Sequence, residues 1–526
     1  MRHVVLALAL SGCVSRGDAA PDEARPGVEA IRGAALTAHV RFLADDLLEG
    51  RGTGTRGHAI AARYVAAQFA ALGLSPAGDK GSFLQAVPLR GATLDVAASS
   101  LTVGGAVLAP DEQVILTATP LAEDVRAAGP LVYVGFAHTE AELAADVKGK
   151  IPVVLWGAPA MGSATARAVA SDFTEKTRKL KARGAIAVLL VHSADFEAIR
   201  PWPRLVEGNR FERMAFLEGD RPGSGPALPT ATIQRAAFAS MLARTPGAPA
   251  YDTLWQEAKA GKAAPLLLGP AAQLVLRSKH RAFTSENVAG LLLGGDPRLA
   301  REVVVLSAHL DHLGIGEAVN GDAIYNGAID NATGVAAILE IARAFRALPA
   351  PPPRSILFLA VTAEEKGLVG SEYFAAHPTL PLERLAANVN IDGLFPLVEP
   401  DAIVARGMEH STLEGNVRSA AAAAGVKVED DPIPEQVIFI RSDQYNFVKR
   451  GVPAIFPGVG EGGAGRAVAM AWFKEHYHRP SDQWSEALRG DRMERETRTY
   501  FLVSLAIARA AERPRWNPDS PFARSK

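Results

Sequence analysis

Apolar positions recur at helical spacing twice near the N-terminus, at Leu36, Val40, Leu43 and Leu47 and again at Ala61, Val65, Phe69 and Leu72. The spacing predicts two helices within residues 36–74. Between them, Gly52-Thr53-Gly54-Thr55-Arg56-Gly57 has the glycine spacing of a dinucleotide-binding turn. That turn works only when a strand aims it at a pyrophosphate, and here a helical pattern precedes it, so the loop is expected to bind no nucleotide. From 99 to 275 the texture changes to short β-rich runs broken by Gly and Pro. Residues 131–134, 151–156 and 186–191 are apolar strand candidates. A basic helical stretch, 176–183, stops at Gly184. From 276 to 515 continuous apolar strands alternate with helical patterns. Residues 303–307, 355–361 and 388–391 read as strands covered on both faces, and 334–348 as a helix halted by the proline-rich run 349–353. Alternation of this kind predicts an α/β fold with a mixed, largely parallel central sheet flanked by helices.

The chain has 526 residues, too many for one ordinary core, so two domains plus a leader are expected. Its 48% hydrophobic and 21% charged residues suit a soluble globular protein. A net charge of −1 supplies no bulk field for nucleic acid or an anionic membrane, so specificity must come from a local site. Arg2, the short apolar run Val4 to Leu10, and Leu10-Ser11-Gly12-Cys13 read as an export signal within residues 1–18. The pair ending at a cysteine resembles a bacterial lipoprotein box, which would anchor the chain by a lipid at Cys13. An ordinary secretory signal cleaved near Ala19-Ala20 is the alternative, and both readings export the protein. Cys13 is the single cysteine, which excludes an intrachain disulfide, a cysteine metal cage and a cysteine nucleophile in the mature chain.

The chemistry lies at the strand ends. The 303–308 run leads into His309-Leu310-Asp311-His312, the 356–361 run into Glu364-Glu365, and the 389–391 run into Asp392-Gly393. Ligands of α/β sheets gather beyond the carboxyl ends of strands. Asp330 precedes the 334–348 helix, and Tyr477-His478-Arg479-Pro480-Ser481-Asp482 adds an imidazole in a proline-stiffened loop. Each motif alone is ordinary: Asp330 could cap a helix, and Asp392-Gly393 could be a turn. Packed together, the carboxylates would repel one another and lose hydration, a conflict that divalent cations resolve. Imidazole with carboxylate suits zinc or a neighbouring first-row metal.

These motifs resemble those of the M28 zinc peptidases, over nearly the whole mature chain. The resemblance implies a zinc exopeptidase fold, two Zn²⁺ per chain and removal of N-terminal residues from peptide substrates. His309, Asp330, Glu365, Asp392 and His478 match the metal ligands, with Asp330 shared between the ions. Glu364 matches the general base, and Asp311 the residue that orients His309. Residues 99–275 resemble an inserted protease-associated domain, notably around Asp146-Val147-Lys148-Gly149-Lys150. Residues 19–98 and 276–515 would then form the peptidase body, with 516–526 a tail. Two departures stand out: Gln444 follows Ser442-Asp443 where a histidine is frequent, and Arg479 stands where threonine is usual. Tyr445 and Tyr477 are candidate donors to an oxyanion. Rival readings are a dipeptidase or carboxypeptidase of the same family, a glutaminyl cyclase, and a binding protein that has lost catalysis. His410 and His476 read as packing or surface histidines. The Asn331-Ala332-Thr333 sequon is an unsuitable glycosylation site beside a ligand. Substrate preference and oligomeric state have no signature in the chain.

Overall fold

The computed structural model describes residues 22–433, 438–460, 462 and 464–523; the export signal and Cys13 lie outside them. Four parallel strands form the centre. Ser355–Val361 pairs with Val303–His309, which pairs with Leu385–Asn390, which pairs with Ala454–Val459. Antiparallel strands continue both edges, Ala402–Arg406 on one and the 27-residue strand Leu266–Leu292 on the other. Val304 and Leu306 enter one apolar core, whereas Val303 and Val305 enter the opposite one. Alternate residues of one strand thus feed two cores, which is why it reads as an unbroken apolar run. Gly33–Leu43, Arg56–Ala71, Gly334–Ala347 and Gly490–Arg509 cover the first face, and Val369–Ala376 with Gln444–Lys449 the second.

Residues 99–275 build a second sheet with its own cores. Asp124–Tyr133, Ile151–Leu155, Val188–His192 and Thr230–Gln234 run parallel. Leu266–Leu292 serves both sheets, pairing with Asp124–Tyr133 through its first half and with Leu84–Leu94 through its second. Beyond the helix expected at 176–183, which spans Phe173–Ala182, the segment is less purely β than its texture predicts, because helices such as Arg235–Ala243 and Tyr251–Lys259 alternate with the strands. These are too short for periodicity to stand out between the Gly and Pro breaks. Nor does it stand wholly apart, since Arg213–Glu218 pairs with Leu84–Leu94 of the body sheet.

The first helix stops at Leu43, and Leu47 is 84% exposed at the head of the tight turn Asp46–Arg51. Asp45 ends the helical spacing by capping that turn through Leu47 N–H, 2.9 Å away. The fingerprint glycines serve packing. A Cβ on Gly57 would lie 1.7 Å from the Leu48 carbonyl oxygen, so only glycine lets the Arg56–Ala71 helix approach the turn. Among the described residues no helix is long and apolar enough to cross a membrane.

Candidate metal centre

In the parallel register His309 lies level with Val361, and Ser307 level with Asn390. The three chains therefore leave the sheet together and deliver His309, Glu364-Glu365 and Asp392 to one place. Asp330 arrives from the turn before Gly334–Ala347. Gly327 in that turn has φ +62, and a Cβ there would strike the Asp330 carbonyl oxygen at 2.2 Å and the His312 ring at 2.5 Å. Asp482 fixes the turn by accepting the Ile329 and Asp330 N–H groups at 2.9 and 3.0 Å.

His309 Nε2 stands 3.1 Å from Asp330 Oδ1 and 3.0 Å from Asp392 Oδ1. His478 Nε2 stands 3.3 Å from Asp330 Oδ2 and 3.2 Å from Glu365 Oε2. All five ligands expected from the sequence thus converge, with Asp330 between two donor groups. His312, assigned no role from sequence, lies 2.6 Å from Glu365 Oε1. The contact lacks hydrogen-bond alignment: neither His312 ring nitrogen nor Glu365 Oε1 has a hydrogen-bond partner. His309, Asp330 and Asp392, and likewise His312, Asp330 and Glu365, present ligand atoms all within 4.8 Å of one another. An oxygen–imidazole set in which His312 and Glu365 Oε1 are buried together without bonding fits divalent cations such as zinc.

Asp311 serves differently from the simple orienting carboxylate expected. His309 Nδ1 meets the Asp311 backbone carbonyl at 3.0 Å. The Asp311 carboxylate instead accepts the Glu364 backbone N–H at 3.0 Å and the Thr53 hydroxyl at 2.8 Å. Ser442 donates to Asp392 Oδ2 at 2.6 Å, and Asn390 Nδ2 reaches both Ser442 Oγ and Gln444 Oε1. The unusual glutamine is therefore joined through Asn390 and Ser442 to a candidate ligand. Tyr445 faces away, its hydroxyl 3.2 Å from Asp172, whereas Tyr477 stacks on the His478 ring at 3.8 Å and lines the cavity. His410 packs against Phe439 and Phe522, and His476 meets Ser481 Oγ. The sequon Asn331 is buried, its side chain bonded to Ile391, Gly334 and Gly393.

Protonation follows this crowding. Burial lowers the His309 pKa, but Asp392 and Glu364 outweigh it and hold the imidazole well above its usual range. Burial raises Glu365, yet His478 and His312 outweigh it and hold the carboxyl well below the ordinary value. For Glu364, burial and the charges of Asp392 and Glu365 together overcome His309, so the carboxyl holds its proton far more tightly than usual. Burial likewise pushes Asp443 to about 7 and Asp482 to about 6. Arg51, buried and missed in the sequence, donates to the Leu310, Leu43, Asn326 and Gly327 carbonyls. Burial brings it to about 10, opposed by the attraction of Asp482, Asp311 and Asp330.

A cavity of about 1670 Å³ opens above Asp330, Glu364, Glu365, Asp392 and His478. Its wall includes Arg200, Phe211 and Arg213, all within residues 99–275. These side chains stand in no motif with catalytic spacing, so the wall was not legible in the sequence.

Fold and site define an α/β protein with a candidate metal centre at the ends of its parallel strands. Residues 287–501 match the description Peptidase family M28. Leupeptin-inactivating enzyme 1 of Streptomyces exfoliatus is 28% identical over 179 residues, which cover 33% of this chain and 36% of that protein. Aminopeptidase YwaD of Bacillus subtilis is 29% identical over 117 residues, 22% of this chain and 23% of its own. The matched stretch therefore spans about a third or less of these curated relatives. The solved aminopeptidase from Aneurinibacillus sp. strain AM-1 superposes with a TM-score of 0.54 at 18% identity, covering 94% of this chain and 97% of that one. At that identity the likeness shows the fold.

Proposed function

We propose that this protein is an exported zinc aminopeptidase that hydrolyses the N-terminal bond of peptides with two metal ions and Glu364 as general base. The observation that carries the reading is the meeting of His309, Asp330, Asp392, Glu365 and His478 at three strand ends and two loops, with His312 Nδ1, His312 Nε2 and Glu365 Oε1 unbonded among them. His309, Asp330 and Asp392 would hold one ion, and Asp330, Glu365 and His478 the other. The bound pair supplies Lewis acidity, polarising a carbonyl and acidifying water. Glu364 has a raised proton affinity and lines the cavity, which suits it to take a proton from water and pass it to the departing amine. Asp311 positions that base through its backbone N–H and His309 through its own carbonyl. The family match and the fold likeness support the peptidase class. Residues 99–275 act as an inserted protease-associated domain that walls the cleft. The leader places the protein outside the cytoplasm, anchored through Cys13.

The test is a panel of aminoacyl chromogenic amides, assayed with and without chelator and after zinc is restored. Hydrolysis that chelation abolishes and zinc restores is expected. Undiminished activity after complete metal removal would refute the reading.

A further inference from the structure

Several arginines along the cavity wall are paired with carboxylates. Arg204 and Arg479 share Glu207, at 3.5 and 3.1 Å. Arg210 pairs with Glu317, and Arg281 with Glu212 at 2.6 Å. Arg200 and Arg213 differ. Neither meets a carboxylate in an ion pair among the described residues. Arg213 Nη2 reaches only the neutral Asn209 Oδ1 at 3.2 Å, and its Nε is buried without a partner. Arg200 caps the helix Ala194–Ile199, where its carbonyl meets His192 Nε2 at 2.9 Å, and Arg213 begins a strand registered on Ala92. Both backbones are therefore fixed. Burial lowers both pKa values, Arg213 to about 10; Arg200 lowers Arg213 further, and Arg200 is opposed in turn by Arg441 and drawn by Tyr477 and Glu365. Two half-buried guanidinium groups thus line the same cavity as Glu364, Glu365 and His478, with no carboxylate ion pair among the described residues.

We infer that Arg200 and Arg213 form a carboxylate-recognition subsite, supplied by the inserted segment, for an anionic group of the peptide. The inference rests on the peptidase reading of the same cavity. Guanidinium presents parallel N–H donors that match a carboxylate in two-pronged fashion, and burial strengthens such bonds. A peptide offers that group from two sources, its free C-terminus or an acidic side chain. Use of the C-terminus would restrict the enzyme to short peptides, because the carboxylate must reach the wall while the N-terminus lies at the metal centre.

The experiment compares kcat/KM for a tripeptide, its C-terminal amide, and the amide carrying an internal aspartate, each beginning with the residue favoured in the chromogenic panel. The wild-type protein is expected to favour an acid over the neutral amide by roughly tenfold or more. In Arg200→Gln and Arg213→Gln the ratio should fall toward one. Preference for the free tripeptide assigns the C-terminus, and preference for the aspartyl amide assigns the side chain. Calorimetric titration of the Glu364→Gln protein with the same ligands reads the preference without turnover and without altering either arginine. Equal rates and equal binding for acid and amide would overturn the subsite alone. A protein that hydrolyses none of the peptides would overturn the peptidase reading and the subsite with it.

Discussion

The chain builds parallel strands twice, and only one set ends in a reactive cluster. In the inserted sheet, polar groups beyond the strand ends are satisfied where they stand. Ser193 donates to the Trp156 carbonyl at 2.8 Å, Lys176 to the Gly157 carbonyl at 2.5 Å, and Glu142 accepts the Phe136, His138 and Thr139 N–H groups. In the body sheet, His309, Glu364, Glu365 and Asp392 are brought together at the same level, and several of the polar atoms around them lack hydrogen-bond partners. Parallel topology provides the place, but it does not provide the chemistry. What separates the two ends is whether buried polar groups are satisfied by the protein or await a ligand.

The largest effect expected from breaking the contrast is at Glu364. Glu364→Gln should lower kcat by about a thousandfold, with zinc content unchanged by elemental analysis. Ser442→Ala removes the hydroxyl that holds Asp392 Oδ2. It should weaken zinc by roughly 10- to 100-fold in a chelator competition, while an unchanged affinity would remove Ser442 from the account.

Two buried cations sharpen the comparison through stability. Arg51→Met would strand four carbonyls and leave the acids without their internal counter-charge, at a cost of about 3–5 kcal/mol in chemical denaturation. Lys176→Met in the inserted sheet strands one carbonyl and should stay within about 1 kcal/mol of wild type. Burial lowers Lys176 to about 7. Below that pH both folded and unfolded states carry its proton, and the cost of burying the charge is fully present. As pH rises from 7 toward the ordinary lysine range, the folded protein has released the proton while the unfolded chain retains it, so stability rises. Melting temperatures at pH 6 and pH 9 should show wild type gaining on Lys176→Met at the higher pH, and an equal difference at both would contradict the buried, neutral lysine.

The smallest effect concerns Glu496, which burial raises to about 7. Between the ordinary carboxyl range and pH 7 the folded state keeps a proton that the unfolded state has lost, so wild-type stability declines as pH climbs through that window. Glu496→Gln should flatten the decline across that window.

The body sheet and the acids and histidine at its strand ends were legible because each strand is apolar on both faces and leads into its acid or histidine. A periodic core and an adjacent motif are both local signals. What lay hidden depends on folding distant segments together. Thr53 belongs to a loop whose glycines imitate a nucleotide turn, yet it meets Asp311 only because Gly52 bridges to His312. Asp482 and Ser442 stood inside noticed motifs, but nothing in their spacing told which backbone or carboxylate each would reach. His312 is the second histidine of the His-Leu-Asp-His motif, and only the return of Glu365 brings a carboxylate against it. Arg51 looks like a surface cation until four carbonyls close around it. Helices such as Arg235–Ala243 and Tyr251–Lys259 escaped for the opposite reason, since brief elements carry too few turns to show a period.

The central claim is that cations draw these acids and imidazoles together, and metal stoichiometry tests it most directly. Chelator-stripped protein would be dialysed against zinc and analysed by mass spectrometry for bound metal. The account predicts two zinc ions per chain, reduced when His309 or His478 is replaced by alanine. Protein that retains no stoichiometric divalent metal, while the fold remains intact by circular dichroism, would contradict it.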